Sequence, residues 1–193
     1  MKIEEIIKTI VSSLADNRKE KRNNWAAGGK YISIKILNND DTGEVGELLV
    51  SEIFKRNGYK VEYEKAITHS DKYWDIVIDN IRIEIKTATI GASADTFQHE
   101  KFFQNREYDA FIFLDFTPND LYVVIGRKKD INWDNLTKRM VNGIFTSEYK
   151  FDLSLPVLKS GKTSKIKECF IIKVENEKDF TDLFDKFKNK YFQ

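Results

Sequence analysis

Hydrophobic positions along the chain change period several times, and each change marks an element. Over residues 2–15 (KIEEIIKTIVSSLA), Ile3, Ile6, Ile7, Ile10, Val11 and Leu14 recur at helical spacing. A basic stretch, DNRKEKRNNWAAGGK, follows. A second helix is expected in DTGEVGELLVSEIFKRNGY, with Asp41 and Glu44 spaced as a capping box and Asn57-Gly58 as a stop. YKVEYE (59–64) reads as a short strand. Beyond it, a polar loop TIGASAD leads to a helix-like TFQHEKFFQNREY (96–108). DAFIFLDF and DLYVVIGR read as strands joined by a turn at Thr117-Pro118-Asn119. Residues 130–147 are expected to be helical, FDLSLPVL and ECFIIKVE to be strands around a basic loop KSGKTSKIK, and EKDFTDLFDKFKNKYF to be a closing amphipathic helix. No internal repeat or linker interrupts this order, so residues 1–193 read as one α/β domain.

The stretch YWDIVIDNIRIEIKT (73–87) alternates most cleanly. Trp74, Ile76 and Ile78 alternate with Asp75, Val77 and Asp79; Ile81, Ile83 and Ile85 alternate with Arg82, Glu84 and Lys86. Asp79-Asn80 fits a two-residue hairpin turn, because both residues tolerate positive φ. That turn sets 78 against 81, 76 against 83, and Asp75 against Glu84. Like charges opposed on a sheet are destabilising, and Lys86 shares their face.

Composition narrows the class. The 193 residues are 41% hydrophobic and 13% aromatic, which suits a packed core rather than disorder. Lys+Arg 32 against Asp+Glu 31 leaves a formal charge of +1, so overall charge favours no polyanionic partner; only local clustering could. No apolar run reaches membrane-spanning length, and MKIEEIIKTI carries acids where a signal peptide would not. The single Cys169, expected in the core, excludes an internal disulfide and fits a reducing, cytoplasmic setting. With only His69 and His99 beside it, a structural zinc set cannot be assembled.

Two opposed carboxylates become tolerable with a cation between them, and hard oxygen ligands suit Mg²⁺ or Mn²⁺. Lys86 could then orient a metal-bound water for attack on phosphate. The alternative is a sheet face whose acids and lysine meet only solvent. A third acid, Glu47, shares a helical stripe with Val50 and Phe54 and so leans toward the core, where it needs a partner.

Glu47 eleven residues before Gly58, then Asp75, then Glu84-Ile85-Lys86, resembles the PD-(D/E)xK nuclease superfamily, which includes type II restriction endonucleases. The resemblance covers residues 43–125 and implies a restriction-endonuclease-like core: α/β, with a mixed central β-sheet flanked by helices, in the order helix-strand-hairpin-helix-strand. It implies that Asp75 and Glu84 hold Mg²⁺ together with the backbone carbonyl of Ile85, that Lys86 positions the water, and that Glu47 assists. Trp74 departs from the family pattern, which has proline before the aspartate. Asp71 is a rival ligand, but the hairpin pairing places it beyond Glu84's reach.

Other candidates are weaker. Gly161-Lys162-Thr163 hints at a P-loop, but Pro156 stands where the first glycine belongs and the loop leads into a strand. Lys159, Lys162 and Lys165 either contact phosphates or sit in a solvated loop. Gln98 and His99 either face DNA, where Gln can read adenine, or end a helix in solvent. His69 reads as solvated.

The expected function is therefore Mg²⁺-dependent cleavage of double-stranded DNA, with a homodimeric type II restriction endonuclease favoured, since duplex DNA presents two scissile strands. A repair or junction-resolving nuclease of the same fold, a non-catalytic interaction module and a binding-only DNA protein are the alternatives. An intact set of Glu47, Asp75, Glu84 and Lys86 argues against the module, and opposed carboxylates near phosphate argue against simple binding.

Overall fold

In the computed structural model, residues 1–14, 25, 29–63, 74–91 and 95–192 are described. His69, Asp71 and most of the basic stretch 16–30 lie outside them. The helices are α1 (Ile3–Leu14), α2 (Ile32–Lys35), α3 (Asn39–Arg56), α4 (Leu155–Ser160) and α5 (Glu177–Tyr191). The strands are β1 (Val61–Glu62), β2 (Ile76–Ile78), β3 (Ile81–Thr89), β4 (Thr96–Phe103), β5 (Ala110–Phe116), β6 (Leu121–Arg127), β7 (Thr137–Val141), β8 (Ile144–Ser154) and β9 (Cys169–Val174).

Six strands form a central sheet in the order β1-β2-β3-β5-β6-β9, mixed because β3 and β5 run parallel while every other pair is antiparallel. The fold class is thus the expected one, α/β with a mixed central sheet flanked by helices. Every residue of β5 is buried, as a central strand covered on both faces requires. On one face α3 and α5 pack together through Phe54, whose ring meets Phe180 and Phe184 edge-on at 5.3 and 4.8 Å. The other face is covered by a three-stranded antiparallel sheet, β4-β8-β7. There Phe111 and Phe113 of β5 meet Phe102 of β4 and Phe151 of β8.

Two expected helices are strands. In β4, Phe97 and His99 point inward and Gln98 outward, and then a bulge with Lys101 at φ 54° turns Phe102 inward again. The extra residue makes 99 and 102 three apart, which mimics a helical interval. Residues 130–147 hold the end of one short 3-10 turn (Lys128–Asp130), a second (Trp133–Asn135) and the start of the β7–β8 hairpin, whose turn is Asn142-Gly143 with both φ positive. That dipeptide between apolar runs is a strong hairpin signal. FDLSLPVL divides between the end of β8 and α4, because Pro156 suits a helix's first turn.

The start of α3 also differs. Asn38 is the N-cap, its side chain accepting from Asp41 N–H at 2.9 Å, so the Asp41/Glu44 box is displaced by a cap three residues earlier. The turn from β5 to β6 is as expected, closed by Thr117 N–H donating to Asp120 O. Cys169 is half-buried rather than fully buried, and burial pushes its thiol up to about 11. No helix among the described residues is long and apolar enough to cross a membrane.

Candidate active site

The β2–β3 hairpin has the register its alternation predicts. Ile76 pairs with Ile83, Val77 with Arg82 and Ile78 with Ile81, around Asp79 (φ 49°) and Asn80 (φ 69°). The turn is also tied to its neighbours. Asp79 accepts from Lys60 N–H at 3.0 Å and from Lys188 Nζ at 2.6 Å, linking it to β1 and α5.

The β2–β3 ladder ends at Ile76 opposite Ile83, and Asp75 lies one residue beyond it. Its N–H donates to Ile83 O at 3.0 Å, and its Oδ2 accepts from Ile85 N–H at 2.6 Å. The carboxylate is thus turned onto the β3 backbone beside Glu84. Glu84 is fully buried. Its Oε1 receives Lys86 Nζ at 2.5 Å and Arg106 at 3.2 Å, while Oε2 is buried with no hydrogen-bond partner among the described residues. Burial raises the Glu84 carboxyl above the usual range, against the pull of Lys86. Burial would lower the Lys86 ammonium, but the charges of Glu84 and then Asp75 outweigh it and hold it above its ordinary value. Lys86 therefore keeps its proton, and the cluster Asp75–Glu84–Lys86–Arg106 mixes two acids with two cations.

Glu47 reaches the same region from α3. It is partly buried, Tyr63 Oη donates to its Oε2 at 3.3 Å, and its carboxyl is pushed up to about 8 by burial and then by Asp75. The helix can come this close because residue 46 is glycine. A Cβ there would stand 1.8 Å from Thr87 Oγ1, so any side chain would lift α3 off β3.

β2 pairs with β3 only at residues 81–83, so beyond Ile83 the outer edge of β3 has no strand partner among the described residues. A cleft of about 940 Å³ runs there. Glu47 of α3, Ile85 and Lys86 of β3, and Gln98 and Lys101 of β4 line it. Glu47 and Lys86 give this groove an acid and a lysine, the lysine paired with the buried Glu84, and β4 with exposed Gln98 and Lys101 forms one wall.

The remaining sequence candidates separate. Gln98 is exposed on β4. His99, its neighbour, is 1% exposed: its ring stacks on Phe113 at 4.1 Å, and Nε2 lies 3.0 Å from the fully buried Asp115. This ring is core, so His99 leaves the set of candidate base contacts. Lys159 and Lys162 are exposed. Lys165 is committed to the fold, its Nζ donating to Asp152 O at 2.5 Å and lying over the Phe151 ring. Arg106 was not anticipated. It sits in the turn after β4, over the Phe103 ring at 4.0 Å, and an isolated arginine in a stretch that reads as helix carries no signal of its contact with Glu84.

Among the described residues, no three Asp, Glu, His or Cys converge as a ready metal cage. The donors present are nevertheless of the type a hard divalent cation takes: Asp75 and Glu84 carboxylates and a backbone carbonyl. Glu84 Oε2, buried and without a hydrogen-bond partner among the described residues, fits such a role, since a carboxylate oxygen left alone in a protein interior is costly.

No protein-family model matches the chain, and no curated protein does either. Among solved structures, the chain is similar to a restriction endonuclease in complex with substrate DNA. The two share 18% of residues, the match covers 95% of this chain and 94% of that one, and the TM-score is 0.44.

Proposed function

We propose that this protein is a Mg²⁺-dependent endonuclease that hydrolyses phosphodiester bonds of double-stranded DNA, with a homodimeric type II restriction enzyme as the specific form. The observation that carries this reading is the cluster that Lys86 joins to the cleft: Asp75 and Lys86 flanking Glu84, whose Oε2 has no hydrogen-bond partner among the described residues. Asp75, Glu84 and the carbonyl of Ile85 would hold the ion. Bound there, Mg²⁺ would supply an acidified water and neutralise charge on the phosphate. Lys86, kept charged by two carboxylates, would orient the attacking water and offset phosphate charge. Arg106 would fix the Glu84 carboxylate through Oε1 and leave Oε2 for the ion. Glu47, largely neutral below about pH 8, would hold or release a proton beside the phosphate. Gln98, Lys159 and Lys162 are the proposed DNA contacts, Gln98 at a base and the lysines at phosphates.

A second reading rests on one observation, the two ion pairs on Glu84 Oε1. They would also satisfy a buried acid in a module that only binds. Incubating the purified protein with a plasmid library and Mg²⁺, then sequencing the DNA ends, separates the two. Defined ends in a repeated sequence context support the restriction enzyme, ends without one support a less specific nuclease, and intact DNA supports the module.

A further inference from the structure

The β7–β8 hairpin ends in an apolar tip on both of its faces. Met140 pairs with Phe145 and Val141 with Ile144, and neighbouring rungs point to opposite sides of a ribbon. The four side chains are 52%, 64%, 44% and 72% exposed in that order. A hairpin that packs on its own protein has one apolar face; this one has two and buries neither. The Asn142-Gly143 turn holds the end in a tight, twisted form.

The tip also stands clear of the body. The β4–β8 ladder stops at Phe103 opposite Glu148, and β8 continues to Ile144 with β7 alone beside it. Four residues of strand carry the tip roughly 13 Å past the end of β4. Because β4 is a wall of the cleft, the hairpin extends that wall. Its stem carries Lys138, Arg139 and Lys150 against a single acid, Glu148. Arg139 is paired with Glu148 and Lys150 with Glu100, while Lys138 is exposed and makes no ion pair among the described residues.

We propose that this hairpin is a wedge: its basic stem follows the phosphate backbone of duplex DNA in the cleft, and its apolar tip enters between base pairs and unstacks them. Apolar side chains inserted at a base step part the stack at a cost that added protein–DNA contact offsets. Lys138, which no acid offsets among the described residues, favours a polyanion over a second copy of this chain. Area does too: a patch of at most a few hundred Å² falls short of the ~800 Å² per partner that a stable dimer buries. The inference rests on the nuclease reading for its substrate and adds how that substrate is deformed.

The test compares the full-length protein with an Ile144→Ser/Phe145→Ser variant, whose changes lie on exposed side chains and should leave the melting temperature unchanged. The probe is a mixed-sequence duplex carrying 2-aminopurine at many positions, in metal-free buffer, with sedimentation of both proteins in parallel. The wild type should bind and raise the fluorescence, and the variant should bind roughly ten-fold more weakly, with little rise. Equal binding and equal unstacking by the variant would overturn the wedge and leave the nuclease reading standing. A dimer that the variant converts to monomer, without any wild-type fluorescence change, would make the tip an interface between copies. A wild type that does not bind the duplex, and does not cleave it once Mg²⁺ is added, would sink both readings.

Discussion

Lys86 Nζ lies 2.5 Å from one oxygen of Glu84, and the other oxygen of the same carboxylate is buried without a hydrogen-bond partner among the described residues. A divalent ion that takes up this oxygen binds the folded state alone. Mg²⁺ or Mn²⁺ should therefore stabilise the protein, by about 2.7 kcal/mol at a hundred times its Kd. Glu84→Gln should abolish the metal-induced shift in thermal melts. A shift of equal size in the variant would place the ion elsewhere.

Glu47 predicts a pH dependence of stability. Its folded-state value of about 8 stands above the ordinary carboxyl range, because burial and the nearby Asp75 disfavour the charge. A raised value means that the group's contribution is fully present below the ordinary range and is lost as pH climbs through 8. Since Glu47 keeps some contact with solvent, the loss should be about 1–3 kcal/mol rather than the full linkage value. Melts from pH 5 to pH 9 should show wild-type stability falling, and Glu47→Gln should flatten that fall.

Arg106 lowers the Glu84 carboxyl, so removing it should raise Glu84 further. For Arg106→Gln, the acid limb of the cleavage–pH profile should move to higher pH, with a loss of about ten-fold or more near neutrality. An unshifted limb with reduced rate would assign Arg106 to DNA contact instead.

Gly46→Ala should destabilise the protein by about 1–3 kcal/mol, because the new methyl overlaps Thr87. Combining it with Thr87→Ala removes the Oγ1 at 1.8 Å but leaves a Cβ at 3.0 Å, so rescue should be partial. A double-mutant cycle read from denaturant unfolding measures this coupling. Additive effects would mean that α3 does not rest on β3 at this point.

The hairpin was legible because Asp75 to Lys86 alternates without interruption and Asp79-Asn80 has one economical turn. The strands β5, β6 and β9 and the terminal helices α1 and α5 followed from equally clean periods. β4 was misread because its bulge at Lys101 shifts the inward face by one residue, and period counting takes a bulge for a helical step. The β7–β8 hairpin was misread although Asn142-Gly143 announces it, since the flanking Met140, Val141, Ile144 and Phe145 are exposed and show no alternation between core and solvent. At the site, the sequence placed Asp75, Glu84 and Lys86 together. The hydrogen bond from Ile85 N–H to Asp75 and the approach of Arg106 are tertiary, and the masking of His99 in the core depends on Asp115 and Phe113 of another sheet.

The central claim is that Asp75, Glu84 and Lys86 make one metal-dependent cutting centre. The most direct measurement is cleavage of supercoiled plasmid by the wild type and by Lys86→Ala, in Mg²⁺ and in EDTA, with DNA binding followed in parallel. Nicked or linear product is expected from the wild type in Mg²⁺ only. Lys86→Ala should lose about 10²-fold or more of this activity, with DNA binding retained. Cutting by Lys86→Ala at the wild-type rate, or wild-type cutting undiminished in EDTA, would contradict the claim.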